Sequence, residues 1–159
     1  MNYLLYLFVV LTIVGLDQYT KILVNTFIES KEIPVIDGFF TLINTKNYGA
    51  GFSILQNQRI LLIAVPIVVV IIIAIYLLKH KDLSKIEITS LLFITGGAIG
   101  NLIDRAFKGY VVDFLDFNFF GYHYPTFNVA DSFVTVGAII LIIYLLFIER
   151  KHGKDKNNS

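Results

Sequence analysis

Gly96-Gly97-Ala98-Ile99-Gly100-Asn101-Leu102-Ile103-Asp104-Arg105, then Tyr110-Val111-Val112-Asp113-Phe114, then Phe127-Asn128-Val129-Ala130-Asp131-Ser132: the reading of the whole chain turns on this stretch. Polar and ionisable side chains stand here between long apolar runs, in a chain whose mean hydropathy is +0.72. Ionisable groups at membrane depth are costly, so they mark a functional site by default. Gly96 and Gly100 form a small-xxx-small pair, which lets helices approach closely in lipid. Gly97, Asn101 and Arg105 follow at i, i+4 and i+8 and share one helix face. Asn101 lies inside an apolar span, so it is predicted to face a helix bundle rather than lipid. Asn128 has the character of an N-cap, with Asp131 at the third helical position.

The rest of the composition agrees with a membrane protein. Of 159 residues, 56% are hydrophobic and only 16% charged, against about 25% charged in an ordinary soluble domain. A net charge of +1 gives no global field for nucleic acid, and the absence of cysteine excludes thiol catalysis, disulfides and Cys-based zinc sites. With three histidines, a His-rich metal site is not expected either. No metal or cofactor is expected.

Working outward, the predicted fold is an α-helical integral membrane protein with four transmembrane helices and a small extracytoplasmic β element. Spans are expected at about 3–27, 59–78, 86–105 and 128–148, each close to the length a bilayer needs. Residues 1–149 read as a single domain. The first outer loop, 30–57, holds two short apolar runs around Asp37-Gly38, a hairpin signal. The second, 106–126, is rich in aromatics suited to the headgroup level; His123 there reads as an interfacial residue. The tail 150–159 is basic and expected to be disordered. Lys and Arg are dense in the Lys79–Lys85 loop and in the tail. By the positive-inside rule, both termini and that loop are expected in the cytoplasm. Asp17, Lys21, Asn47, Asn101, Asp104, Arg105, Asp113, Asn128 and Asp131 then converge near the outer face.

Several of these residues have two readings. Asp17 and Lys21, at i and i+4, are either a structural ion pair with Lys21 snorkelling to the interface or a support for a site. Asp104-Arg105 is either an interfacial charge pair or part of that site. Two carboxylates in contact cannot both ionise cheaply and share a proton, so one can take a proton from water while the other donates to a carbonyl. Asp131 and Asp113 are the candidates for such a pair, although Asp116 rivals Asp113 by spacing and Asp131 could be only a helix cap. A proton or cation relay, and a non-enzymatic assembly factor whose polar residues glue helices, are the competing functions. The absence of an internal repeat counts against a transporter.

Five motifs in order, Asp17-Gln18-Tyr19-Thr20-Lys21, Asn47-Tyr48-Gly49-Ala50, Gly100 to Arg105, Val111 to Phe114 and Phe127 to Ser132, closely resemble the bacterial lipoprotein (type II) signal peptidases. The likeness covers nearly the whole chain. It implies four membrane helices with an extracytoplasmic β cradle and an aspartic endopeptidase that removes signal peptides from diacylglyceryl-modified prolipoproteins, cutting before the lipidated cysteine. It implies a catalytic pair at Asp113 and Asp131, which selects Asp113 over Asp116. Supporting positions fall on Asp17, Lys21, Asn47, Gly49, Asn101, Asp104, Arg105 and Asn128. Membrane lipids and the signal peptides of prolipoproteins are the implied partners, and the cyclic peptide globomycin the implied inhibitor; a monomer in the bacterial cell membrane is expected. The sequence departs from the family pattern at Gly51, where a second alanine is expected.

Overall fold

The computed structural model describes residues 2–28, 31–51 and 54–148. The predicted tail, Ser30, and Phe52 and Ser53 of the first outer loop lie outside the described residues. Helix α1 is Tyr3–Phe27, capped by Asn2, whose side-chain oxygen accepts from the Leu5 N–H at 3.3 Å. Strands β1 (Ile33–Ile36) and β2 (Phe40–Asn47) follow, then α2 (Arg59–Lys79) and α3 (Lys85–Phe107), strands β3 (Val111–Phe119) and β4 (Tyr122–Phe127), and α4 (Val129–Ile143). A π-helical turn, Tyr144–Ile148, prolongs α4. Among the described residues, four helices are long and apolar enough to cross a membrane. Their outward side chains agree: Leu4, Phe8, Ile72 and Ile142 are exposed, as a lipid-facing surface requires and a watery one does not favour.

Helix α3 is the centre of the bundle, packed on α1, α2 and α4. Its glycines make that possible. A Cβ on Gly97 would collide with the Ala130 carbonyl of α4, and one on Gly100 would stand 2.7 Å from Asp17 Oδ2 of α1. A Cβ on Gly96 would stand 2.8 Å from Ile13. Helices α3 and α4 thus touch backbone to backbone at Gly97, and the α3 backbone meets side chains of α1 directly at Gly96 and Gly100, which shortens the reach between side chains on different helices.

The sheet is antiparallel throughout, in the order β1-β2-β3-β4. The Asp37-Gly38 turn joins β1 to β2 as the sequence suggests. The sequence did not suggest β3 and β4: the second outer loop is a hairpin, closed at Phe120-Gly121 with both residues at positive φ. Its Val111-Val112-Asp113-Phe114 segment is buried on both faces, so it lacks the in-out alternation that announces a half-exposed strand. Val112 and Phe114 pack on Val24 and Ile28 at the end of α1, and this contact seats the sheet on the helix bundle.

Gly97→Ala is expected to cost about 1–3 kcal/mol through forced separation of α3 and α4, read as a lowered midpoint of thermal unfolding in detergent. Gly51→Ala should leave the midpoint unchanged, because a Cβ there meets nothing within 4 Å.

Candidate active site

The polar residues of the bundle form one connected network with a buried lysine at its root. The Lys21 ammonium is fully buried and does not snorkel. It lies 2.8 Å from Asp17 Oδ2 on its own helix and 2.8 Å from Asp104 Oδ2 on α3, and it donates to Asn101 Oδ1 at 2.9 Å. Asp104 makes its second ion pair with Lys108 at 2.8 Å, so Asp104 and Arg105 are not an interfacial pair with each other. Asp17 Oδ1 accepts from the Ala130 N–H at 2.9 Å. That N–H belongs to the first turn of α4 and has no intrahelical acceptor. One lysine and two aspartates thereby tie α1, α3 and α4 together. Removing one member of such a buried set strands the others and costs about 3–5 kcal/mol.

Fixed donors set which way three asparagines point, and Lys21 is the donor for the first. An ammonium only donates, so the Asn101 oxygen must face Lys21 and its NH2 must face away. That NH2 donates to Asp131 Oδ1 at 2.7 Å. Asn128 accepts from the Asp131 N–H at 3.0 Å as the cap of α4, and its NH2 donates to Asp113 Oδ1 at 2.7 Å. Asn47, the last residue of β2, accepts from the Gly49 N–H at 2.8 Å and its NH2 donates to Asp113 Oδ2 at 2.8 Å. Each amide oxygen is held by a donor, so each amide nitrogen is aimed at a carboxyl group. Asp131 Oδ2 accepts from the Asn128 N–H at 3.2 Å, which completes the capping box.

Asp113 and Asp131 line one cavity of about 400 Å³, together with Asn47, Arg105, Phe127 and Val134. Burial first, and then the charge of Asp131, push the Asp113 carboxyl up to about 6. Asp116 is not among the residues that line this cavity. It is three residues along the strand from Asp113, hence on the opposite face, and its carboxylate meets the exposed ring of His123 at 3.3 Å. Arg105 donates to the Gly49 carbonyl at 3.0 Å, while its buried Nε makes no hydrogen bond in the described structure. All ten residues singled out in the sequence therefore lie in one connected constellation, Gly49 included through its bonds to Asn47 and Arg105. Among the described residues no cluster of metal-ligating side chains occurs.

Sequence reasoning missed Arg59 and Lys108. Arg59 opens α2 and donates to the Arg105 and Ala106 carbonyls at 3.1 and 2.8 Å, which caps the C-terminus of α3. No local pattern announces a cap supplied from another helix. Lys108 stands at i+4 from Asp104, a spacing that could have revealed it.

The profile of the signal peptidase (SPase) II family matches residues 9–147. The chain belongs to the signal peptidase II family. It is 41% identical over 151 residues to the lipoprotein signal peptidase of Francisella tularensis subsp. novicida, covering 92% of this chain and 94% of that one. It is 44% identical over 155 residues to the lipoprotein signal peptidase of Halalkalibacterium halodurans, covering 97% and 99%. Two solved bacterial membrane enzymes, determined by the in meso method at 2.3 and 1.9 Å, superpose with TM-scores of 0.82 and 0.80 at 33% identity. The first covers 97% of this chain and 90% of its own, and the second 90% and 93%. The protein is thus a multi-pass membrane enzyme, a hydrolase of the lipoprotein signal peptidase family; Gly51, where it departs from the family pattern, lines the main cavity, and a Cβ there would meet nothing within 4 Å.

The Asp113 titration has a clear sign. Its carboxyl holds a proton up to about pH 6 and loses it as pH rises through that value. Asp131→Asn removes the neighbouring negative charge and leaves the burial, so the Asp113 midpoint should fall yet stay above the ordinary carboxylate value. Infrared titration of the carboxyl band in the two proteins checks this.

Proposed function

We propose that this enzyme removes signal peptides from diacylglyceryl-modified prolipoproteins, cutting before the lipidated cysteine, with Asp113 and Asp131 as an aspartyl pair that activates water. The observation that carries the reading is the pair of carboxyl groups on one cavity, with Asn47, Asn128 and Asn101 donating to them. Asp131 stands in the first turn of α4, where it accepts from the Asn101 NH2 and the Asn128 N–H. In this mechanism it takes a proton from water while protonated Asp113 donates to the scissile carbonyl oxygen. The hydroxyl adds to the carbonyl carbon and a gem-diol forms. Asp131 then passes its proton to the peptide nitrogen, Asp113 recovers one from the gem-diol, and the C–N bond breaks to a carboxyl and an amine. Atoms balance without a metal or cofactor. The unpaired Arg105 Nε supplies a donor for a substrate carbonyl at the cavity wall.

The same reading sets the orientation. The Lys- and Arg-rich Lys79–Lys85 loop and the basic tail belong in the cytoplasm with both termini, and the sheet and the aspartates at the outer face. A lipidated substrate anchored in the outer leaflet presents its cut bond at that depth. Residues 1–149 act as one unit, a monomer, and globomycin competes for the cavity.

Asp113→Asn and Asp131→Asn, each folded, are expected to lose cleavage of a lipidated prolipoprotein by at least a factor of about 1,000, whereas Asp116→Asn keeps it. The alkaline limb of kcat/KM should fall with a midpoint near the Asp113 value of about 6, since a raised carboxyl pKa means the needed proton leaves above it. Activity that survives in either mutant, or a profile without that limb, refutes the pair.

A further inference from the structure

Helix α2 opens on a cation in the place its own backbone favours least. Arg59 is its first residue, and a positive side chain in a first turn is repelled by the positive end of the helix dipole. The side chain turns instead to the negative end of α3. There the Asp104 carbonyl already accepts from the Lys108 N–H at 2.8 Å and the Gly109 N–H at 3.2 Å. The carbonyls of Arg105 and Ala106 come next, in the last turn, where the helix itself supplies no donor. Arg59 takes both, from Nε at 3.1 Å and Nη2 at 2.8 Å. Its planar fork thus holds two successive carbonyls at once.

The guanidinium also covers the chain reversal after α3. Gly109 has a φ of +80° there, and a Cβ added to it would stand 3.7 Å from the guanidinium carbon of Arg59. Two residues further on β3 begins, and its third residue is Asp113. One side chain of α2 therefore braces the backbone on both sides of the turn that separates Arg105 from Asp113. Arg59 itself lines neither cavity. Arg105 lines the main one. Its guanidinium is tethered by Nη2 to the Gly49 carbonyl at 3.0 Å, while its buried Nε has no partner among the described residues. A side chain so lightly tethered is placed by its backbone.

We propose that Arg59 is a positioning residue for the reaction: it fixes the last turn of α3 so that Arg105 presents its unpaired Nε–H at the cavity wall, to a carbonyl of the substrate. The inference rests on the peptidase reading above. Arg59 touches no reacting group and acts through Arg105. Hydrogen bonds weaken steeply with distance and angle, so a small drift of the α3 end is enough to lose this one. The bland role for an arginine at the end of a spanning helix is a headgroup anchor; that role sends the guanidinium to lipid phosphates, whereas here it is spent on carbonyls of a neighbouring helix.

The test uses the full chain purified in detergent, a lipidated prolipoprotein, and Arg59→Met and Arg59→Lys in both the wild-type and the Arg105→Lys backgrounds, with folding verified. Arg59→Met is expected to raise KM about tenfold, the scale of one well-placed hydrogen bond from a charged donor, and to leave kcat within about twofold. Arg59→Lys keeps the charge but not the fork, so it should recover only part of the loss; it also carries the test if Arg59→Met does not fold. In the Arg105→Lys background neither change should raise KM more than about twofold. An equal rise in both backgrounds, or none in the wild-type background, overturns the assignment and leaves Arg59 a helix cap or headgroup anchor. Without substrate, the nitrogen NMR signal of the Arg105 Nε–H should broaden in either Arg59 variant; an unchanged signal overturns the assignment as well. If wild type cleaves nothing while that signal responds, it is the peptidase reading that fails and not the bracing of Arg105.

Discussion

A lysine ammonium with no exposed surface, inside a membrane bundle, must be satisfied completely. Lys21 obtains two carboxylates and one amide oxygen, at 2.8, 2.8 and 2.9 Å, from residues on α1 and α3. Part of the polar architecture follows from that demand. Asp17 is held against α1 and reaches the α4 terminus. Asn101 is turned so that its NH2 meets Asp131. Gly97 and Gly100 supply the close helix approach that short side chains need to make these contacts.

The consequence is electrostatic preorganisation. Both aspartates face amide donors that cannot rotate away without breaking a bond on the other side of the amide. Asp113 is held from the sheet by Asn47 and from the cap of α4 by Asn128, and Asp131 from α3 by Asn101. A site joining strands to helices keeps its geometry only if the sheet is fixed to the bundle, which is the work of Val112 and Phe114 on Val24 and Ile28. Donors fixed before reaction need no reorganisation when charge moves, and this is where such sites gain most.

Much of this was legible in the sequence. Uninterrupted apolar runs such as Ile60 to Leu78 announce spanning helices because lipid leaves few alternatives for a backbone. The Gly96–Gly100 spacing and the Asn128–Asp131 cap are local signals; the structure sets the first against α1 and the second at the start of α4. The hairpin of β3 and β4 was not legible, because its first half is buried on both faces and its aromatic second half resembles an interfacial belt. Spacing alone also could not separate Asp113 from Asp116; strand alternation does, once the strand is known. The Arg59 cap of α3 depends on the packing of two helices and leaves no trace in either segment.

The central claim is that Lys21 acts on the aspartates through Asn101. A double-mutant cycle of Lys21→Met and Asn101→Ala on the cleavage rate of a lipidated prolipoprotein tests it most directly, with folding of each variant verified. If the lysine works by orienting that amide, the second substitution should add little to the first, and the coupling should reach about 1–3 kcal/mol. Fully additive losses would contradict the account, because they would mean that the buried lysine and the asparagine serve the reaction independently.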